Sequence, residues 1–249
     1  MYFHTTAYHT AHIWERGHRR SNEDSLVIMD VMSGRDHILL AVVADGIGGL
    51  DGGGYAASIV TERLKRSFEE YLRRTDDITL KSLAGLFRRV LYSCHLYLGE
   101  YGSQHAMRLG TTVSILCLIG RRGIAIQVGD SHLYLIGDRI RKIGRDHTDS
   151  NGHLNRCIGS GTYHRIPIIK LRLNKYDTAL LCTDGFYRRG YTQMDSLFRH
   201  THGHDVMSES SLSAALGSIR DYAYRHGECD NMSAVAVSVC RTRRKKREK

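Results

Sequence analysis

Runs of apolar residues and their spacing mark most of the elements of this chain. Leu26–Met32 and His37–Ala44 are rich in aliphatic and β-branched side chains and are separated by Ser33-Gly34, which predicts a hairpin. A second series, Thr111–Ile119, Ile124–Val128 and Leu133–Ile136, is broken by Gly120-Arg121-Arg122-Gly123 and by Gly129-Asp130-Ser131. Thr178–Cys182 and Ser233–Cys240 are short and strongly apolar, the length of strands and not of helices. Between these groups the spacing turns helical. Ala56, Ile59, Val60, Leu64, Phe68 and Leu72 form one stripe over Tyr55–Arg73, and Leu83, Leu86, Phe87, Val90, Leu91, His95 and Leu98 another over Leu80–Glu100. A less regular helix is predicted over Asp205–Tyr224, with Asp205 as its N-cap. Strands in consecutive groups, with helices singly or in pairs between them, disfavour a βαβ parallel sheet. They predict an α+β fold of antiparallel sheets with helices packed outside.

Composition narrows the setting. The chain has 249 residues, 41% hydrophobic and 25% charged, enough to bury a substantial core. With a single proline, Pro167, and no repeat or low-complexity linker, one domain is expected over about residues 8–240. No stretch approaches the roughly 18 apolar residues of a membrane span, and the start, MYFHTTAYHTAHIWERGHRR, has no apolar signal-peptide core. Six cysteines occur without a CxxC pair, and Cys117, Cys182 and Cys240 lie in apolar runs, which suits reduced thiols in a cytoplasmic protein. The net charge is +10, but residues 241–249, RTRRKKREK, supply six of those charges. The excess therefore reads as a disordered basic tail beyond residue 240, and not as a nucleic-acid-binding face, for which aromatic-basic interleaving is missing.

The acidic residues carry the chemistry. Asp24 starts one predicted strand, Asp45 ends the next, Asp130 sits in a turn between two, Asp184 follows another, and Asp230 opens the last. Each alone is best read as a turn residue. Five at strand ends together are better explained by hard divalent cations held through oxygen, which selects Mg²⁺ or Mn²⁺ over Zn²⁺.

Seven segments, in order over about 210 residues, extend this reading. They are Arg19-Arg20-Ser21-Asn22-Glu23-Asp24, Val43-Ala44-Asp45-Gly46-Ile47-Gly48-Gly49, Gly110-Thr111-Thr112, Val128-Gly129-Asp130-Ser131, Arg145-Asp146-His147-Thr148, Cys182-Thr183-Asp184-Gly185 and Asp230-Asn231. In these the sequence resembles the type 2C, or PPM-type, metal-dependent serine/threonine protein phosphatases of bacterial kind. The resemblance implies two stacked antiparallel sheets flanked by helices, with two or three Mn²⁺ or Mg²⁺ ions at one end of the sandwich. It implies that Asp45 bridges two ions, that the Gly46 carbonyl binds one, and that Asp184 and Asp230 complete a shell. Glu23 and Asp24 would act close by, partly through water, and Asp130 with Asp184 would hold a third ion. Arg19 matches the arginine that grips substrate phosphate, a role its planar guanidinium suits. The reaction implied is hydrolysis of phosphoserine or phosphothreonine in proteins by a metal-bridging hydroxide attacking in line, opposing a bacterial-type Ser/Thr kinase. A monomer is expected.

The chain departs from the family in places. Ile47 stands where some members have a histidine, so a metal-bound water is the expected acid. Most of the flap after Asp146-His147-Thr148 is missing, which predicts a more open site. His132 stands where an arginine is common, and Leu50-Asp51-Gly52-Gly53-Gly54 lacks the usual glutamate.

Other motifs read plainly. Gly52-Gly53-Gly54-Tyr55-Ala56-Ala57 satisfies GxGxxA, but no strand leads tightly into it, so it is not a dinucleotide fingerprint. His200-Thr201-His202-Gly203-His204 reads as a solvated loop, Cys229 as an unreactive thiol and His95 as a satisfied core histidine. Two other readings use the same residues: a pseudophosphatase serving as a binding module, and a same-fold phosphatase acting on a regulator unconnected with a kinase.

Overall fold

The computed structural model describes residues 2–33, 36–47, 52–201 and 206–245. Ten strands and four helices follow one another in these residues. β1 (Tyr2–Glu15), β10 (Met232–Lys245), β9 (Thr178–Cys182), β6 (His132–Ile136) and β7 (Ile140–Ile143) form one sheet in that spatial order. The second sheet runs β2 (Asp24–Ser33), β3 (Asp36–Asp45), β4 (Val113–Ile119), β5 (Arg122–Val128) and β8 (Ile169–Arg172). Every pairing is antiparallel. α1 (Gly53–Arg74) and α2 (Leu80–Gln104) cover the second sheet, and α3 (Asp184–Thr201) and α4 (Glu209–Arg225) the first.

The continuous apolar runs have a simple cause. β3 and β4 are covered on both faces, so neither face needs polar residues. Leu39, Ala41 and Val43 meet Leu181, Val235 and Val237 between the sheets, while Leu40 and Val42 meet Leu64, Phe68 and Phe87 of the helices. Each fully buried side chain of this size contributes about 1.5–3 kcal/mol. The predicted α+β sandwich is what the structure shows.

Three strands and one helix escaped the sequence reading. β1 has Ala7, Tyr8 and Ala11 buried, too few large aliphatics to mark a strand. β7 and β8 are four-residue edges. α3 follows Asp184 where a turn was expected. The helix predicted from Asp205 starts at Glu209 with Ser208 as N-cap, its hydroxyl accepting from Ser211 N; Asp205 lies outside the described residues. The basic segment expected as a disordered tail is also corrected in part. Residues 241–245 continue β10 opposite Tyr2–Thr6, and 246–249 lie outside the described residues.

Candidate active site

The antiparallel register of β2 and β3 sets Asp24 directly opposite Asp45. That pairing brings two carboxylates to one end of the sandwich. The turn after β5 delivers Asp130 to the same end, the N-terminus of α3 delivers Asp184, and the residues entering β10 deliver Asp230. A cleft of about 480 Å³ opens there, lined by Arg19, Glu23, Asp45, Gly46, Asp130, Asp184 and Asp230 among others. Asp24 lies beneath its floor, buried, with Oδ2 accepting from Thr183 Oγ1 at 2.9 Å and Oδ1 without a hydrogen-bond partner.

Backbone closeness fixes the geometry at two glycines. Gly46 N donates to the Glu23 carbonyl at 3.2 Å, and a Cβ at Gly46 would lie 2.3 Å from the Gly53 carbonyl carbon. A Cβ at Gly185 would lie 2.1 Å from Asn231 O. Hydroxyl groups hold the strand ends. Thr112 Oγ1 accepts from Asp45 N at 3.0 Å and bonds Ser131 Oγ at 2.6 Å; Thr111 Oγ1 donates to Asp45 O at 2.8 Å. Asn231 ties the segment before β2 to the residues entering β10, donating to Arg16 O and Ser21 O and accepting from Glu23 N.

The electrostatics are those of uncompensated acids. Burial, then the neighbouring carboxylates of Asp24, Asp184, Asp130 and Asp230, push Asp45 well above the usual carboxylate range. Burial raises Asp24 to about 7, opposed by its hydroxyl partners. Burial also raises Asp184 to about 6, with Arg188 opposing and Asp230 and Asp130 adding to the effect. Asp130 and Glu23 are raised too, again chiefly by burial. Among the described residues, two arginines bond these carboxylates. Arg19 Nη2 donates to Asp230 Oδ2 at 2.9 Å, and Arg188 bonds Asp184 Oδ2. Among the described residues, no three acids stand together as a ready-made ligand cluster.

The sequence matches the protein phosphatase 2C family over residues 16–219. The chain belongs to that family. It is a protein phosphatase of the serine/threonine class. A curated relative, serine/threonine phosphatase stp of Listeria welshimeri, is 23% identical over 242 residues, covering 88% of this chain and 90% of its own. Two solved structures share the fold. Stp1 of Staphylococcus aureus has 20% identity and a TM-score of 0.76, over 92% of this chain and 94% of its own. The catalytic domain of PstP, in complex with two manganese ions, has 21% identity and a TM-score of 0.71, over 94% and 99%.

In this type 2C phosphatase the predicted residues Arg19, Glu23, Asp45, Gly46, Asp130, Asp184 and Asp230 converge on one cleft, and Asp24 supports it from below. Gly48, Gly49, Leu50 and Asp51 lie outside the described residues. In place of a long flap, a short turn bridged between Thr148 and Leu154 brings Leu154 to the cleft. His95 is buried, and its Nδ1 accepts from Gly159 N at 3.2 Å, the satisfied core role expected of it.

The sequence reading missed Thr111, Thr112, Ser131, Thr183 and Asn231 as supports, and Arg188 and Tyr187 altogether. Their signal was faint: hydroxyl and amide residues beside strand-end aspartates. His132 proves structural. Burial, then Lys142, lowers it to about 4, so it is neutral at pH 7. It therefore donates from Nε2 to Asp146 at 2.9 Å and accepts at Nδ1 from Tyr134 Oη at 2.6 Å. Its ring stacks on Tyr187 at 3.7 Å, and Tyr187 Oη donates to the Asp130 carbonyl at 3.3 Å.

Proposed function

We propose that this chain removes phosphate from phosphoserine and phosphothreonine in proteins with the help of two or three Mn²⁺ or Mg²⁺ ions. The observation that carries the reading is the cleft, lined by five carboxylates (Glu23, Asp45, Asp130, Asp184, Asp230) above the buried Asp24, with Arg19 on Asp230 and Arg188 on Asp184. The donor set is all oxygen, the choice of hard divalent cations. The unpartnered Asp24 Oδ1 and the raised Asp45 and Asp184 mark a deficit of positive charge at the same place. The residues therefore fit such ions.

Bound there, the cations supply a water acidified enough to attack phosphorus near neutral pH, together with positive charge for the phosphoryl oxygens. Asp45, Asp184, Asp230 and the Gly46 carbonyl would hold them, Asp130 with Asp184 would take a third, and Glu23 and Asp24 would act from the next layer. Thr112, through Asp45 N, keeps the Asp45 backbone in place. Arg19, half-exposed at the rim, binds the substrate phosphate once it leaves Asp230, and its fork of donors suits two phosphate oxygens. Ile47 offers no proton at the cleft, so the proton for the leaving alkoxide would come from a water held by the ions. A phosphoprotein in the cytoplasm, modified by a Ser/Thr kinase, is the substrate this chemistry suits, and the catalytic unit is a monomer.

The deciding experiment is release of phosphate from a phosphothreonine peptide with Mn²⁺, with Mg²⁺ and with chelator, alongside Asp45→Asn and Asp184→Asn. Metal-dependent release that both substitutions abolish is the expected result. A wild type that neither hydrolyses the peptide nor binds Mn²⁺ by calorimetry would instead make the chain a binding module.

A further inference from the structure

Arg188 follows Asp184 by one turn of α3, which places both side chains on one helix face. Its Nη2 bonds Asp184 Oδ2, and its Nη1 stands 3.9 Å from Asp230 Oδ2. Arg19 holds that same Asp230 oxygen from the other side. The Arg188 side chain is half-exposed, and an exposed ion pair of this kind adds little to the stability of a fold. Its importance lies in what it occupies. Asp184 and Asp230 are two of the acids on which the proposed cation site depends, and a guanidinium on their oxygens sets a positive charge where a divalent cation would stand.

A further acid acts on that arginine. Glu228 is buried, its Oε1 accepts from Cys229 N at 3.0 Å and Asp230 N at 3.1 Å, and its Oε2 has no hydrogen-bond partner. Burial opposes the charge on Arg188, but Asp184, Glu228 and Asp230 together hold it above its ordinary range. A buried carboxylate oxygen without a partner is costly, so a guanidinium moving toward it relieves one deficit as it vacates another.

We propose that Arg188 is a built-in counter-cation that divalent metal must displace from Asp184 and Asp230, with Glu228 receiving it, so that Arg188 sets the metal concentration at which the site fills. The proposal rests on the metal-dependent reading above and adds to it a threshold particular to this chain. Metal binding and arginine release are one equilibrium. The site is neutralised by the protein's own arginine when metal is scarce and by the metal when it is plentiful.

The test is Mn²⁺ binding to the full chain by calorimetry, for wild type, Arg188→Gln, Arg188→Lys, Glu228→Gln and the Arg188→Gln/Glu228→Gln double variant. A single positive charge about 5 Å from a divalent cation in a water-like medium changes affinity roughly tenfold. Arg188→Gln is therefore expected to bind Mn²⁺ about tenfold more tightly, and Arg188→Lys to stay near wild type. Glu228→Gln alone should bind more weakly, and the double variant should match Arg188→Gln, because the receiving carboxylate has no purpose once the arginine is gone. Equal or weaker binding by Arg188→Gln overturns the proposal, as does a Glu228→Gln effect that persists in full without Arg188. Wild type that takes up no Mn²⁺ removes the metal-dependent reading itself, whereas wild type binding as tightly as Arg188→Gln removes only the role given to Arg188.

Discussion

Asp146 and Asp184 belong to the same end of the same sheet, and their surroundings treat them in opposite ways. Burial pulls Asp146 upward, but the Lys142 ammonium and the His132 ring outweigh it and hold the carboxyl below its usual range. Asp184 also feels burial first, yet Asp230 and Asp130 add to it, and Arg188 does not prevent a rise to about 6. An acid that serves the fold is given a cation and a hydrogen-bond partner from the chain itself. The acids of the cleft raise one another, and the bonds from Arg188 to Asp184 and from Arg19 to Asp230 leave Asp45 and Asp184 above their usual range. The contrast separates a carboxylate paired within the fold from those of the proposed cation site.

The sharpest way to break the comparison is Asp45→Asn. Hydrolysis of a phosphothreonine peptide at saturating Mn²⁺ should fall on the order of 10³-fold, while the metal-free protein gains about 1–2 kcal/mol in urea unfolding as like charges are relieved. Losing both activity and stability would place Asp45 in the structural class with Asp146. The next test uses pH. Asp24 has a folded value of about 7 against an ordinary 3.8, so between these the folded state keeps a proton that the unfolded chain has released. Metal-free stability from this group is therefore lost as pH rises from about 4 to about 7. Asp45 and Asp184 add slopes of the same sign, and His132, lowered to about 4, contributes the opposite one, so the total profile mixes them. The difference between Asp24→Asn and wild type isolates the acid. It should be near zero at pH 4 and favour the variant by on the order of 2–4 kcal/mol at pH 7, and a flat difference would contradict the buried-acid account.

Smaller effects follow from the supports. Asn231→Ala removes three hydrogen bonds, to Arg16, Ser21 and Glu23, that hold the segment before β2 to the residues entering β10, so thermal or urea unfolding should show a loss of about 2–3 kcal/mol. KM for the phosphopeptide should rise as Arg19 loses its placement. Lys142→Ala should matter least. Its partner Asp146 retains His132 and is one-third exposed, so a loss of about 0.5–1 kcal/mol and activity within about twofold of wild type are expected.

Most of the sandwich was legible because strands buried on both faces leave an unbroken apolar record, as β3, β4 and β9 do. β1 left little, since its buried positions are Ala7, Tyr8, Ala11 and Ile13, with one large aliphatic among them and Tyr8 Oη donating to Gly120 O at 2.7 Å. α3 was obscured by Gly190 and a run of basic and aromatic residues. Gly190 is required there by packing, because a Cβ would come within 2.6 Å of Ile219 Cγ2 in α4. The acids of the cleft could be read from their positions at strand ends and from the order of their motifs. Thr112, Ser131, Thr183 and Asn231 could not, because a hydroxyl or amide beside a strand end looks like any turn former. Arg188 depended on α3: its four-residue spacing from Asp184 acquires meaning only once that stretch is known to be helical.

The sheet order has a consequence for the chain during synthesis. Among the described strands β1 is made first, and its one neighbour there is β10, made last, which also lies against β9. A ribosome-bound chain ending before residue 230 has therefore exposed a long unpaired edge without either Asp230 or Asn231 to close the cleft. The acid-lined end and the β1–β10 pairing are completed together when β10 emerges, so a product ending before residue 230 lacks Asp230 and Asn231 and leaves β1 unpaired on both sides, prone to aggregation.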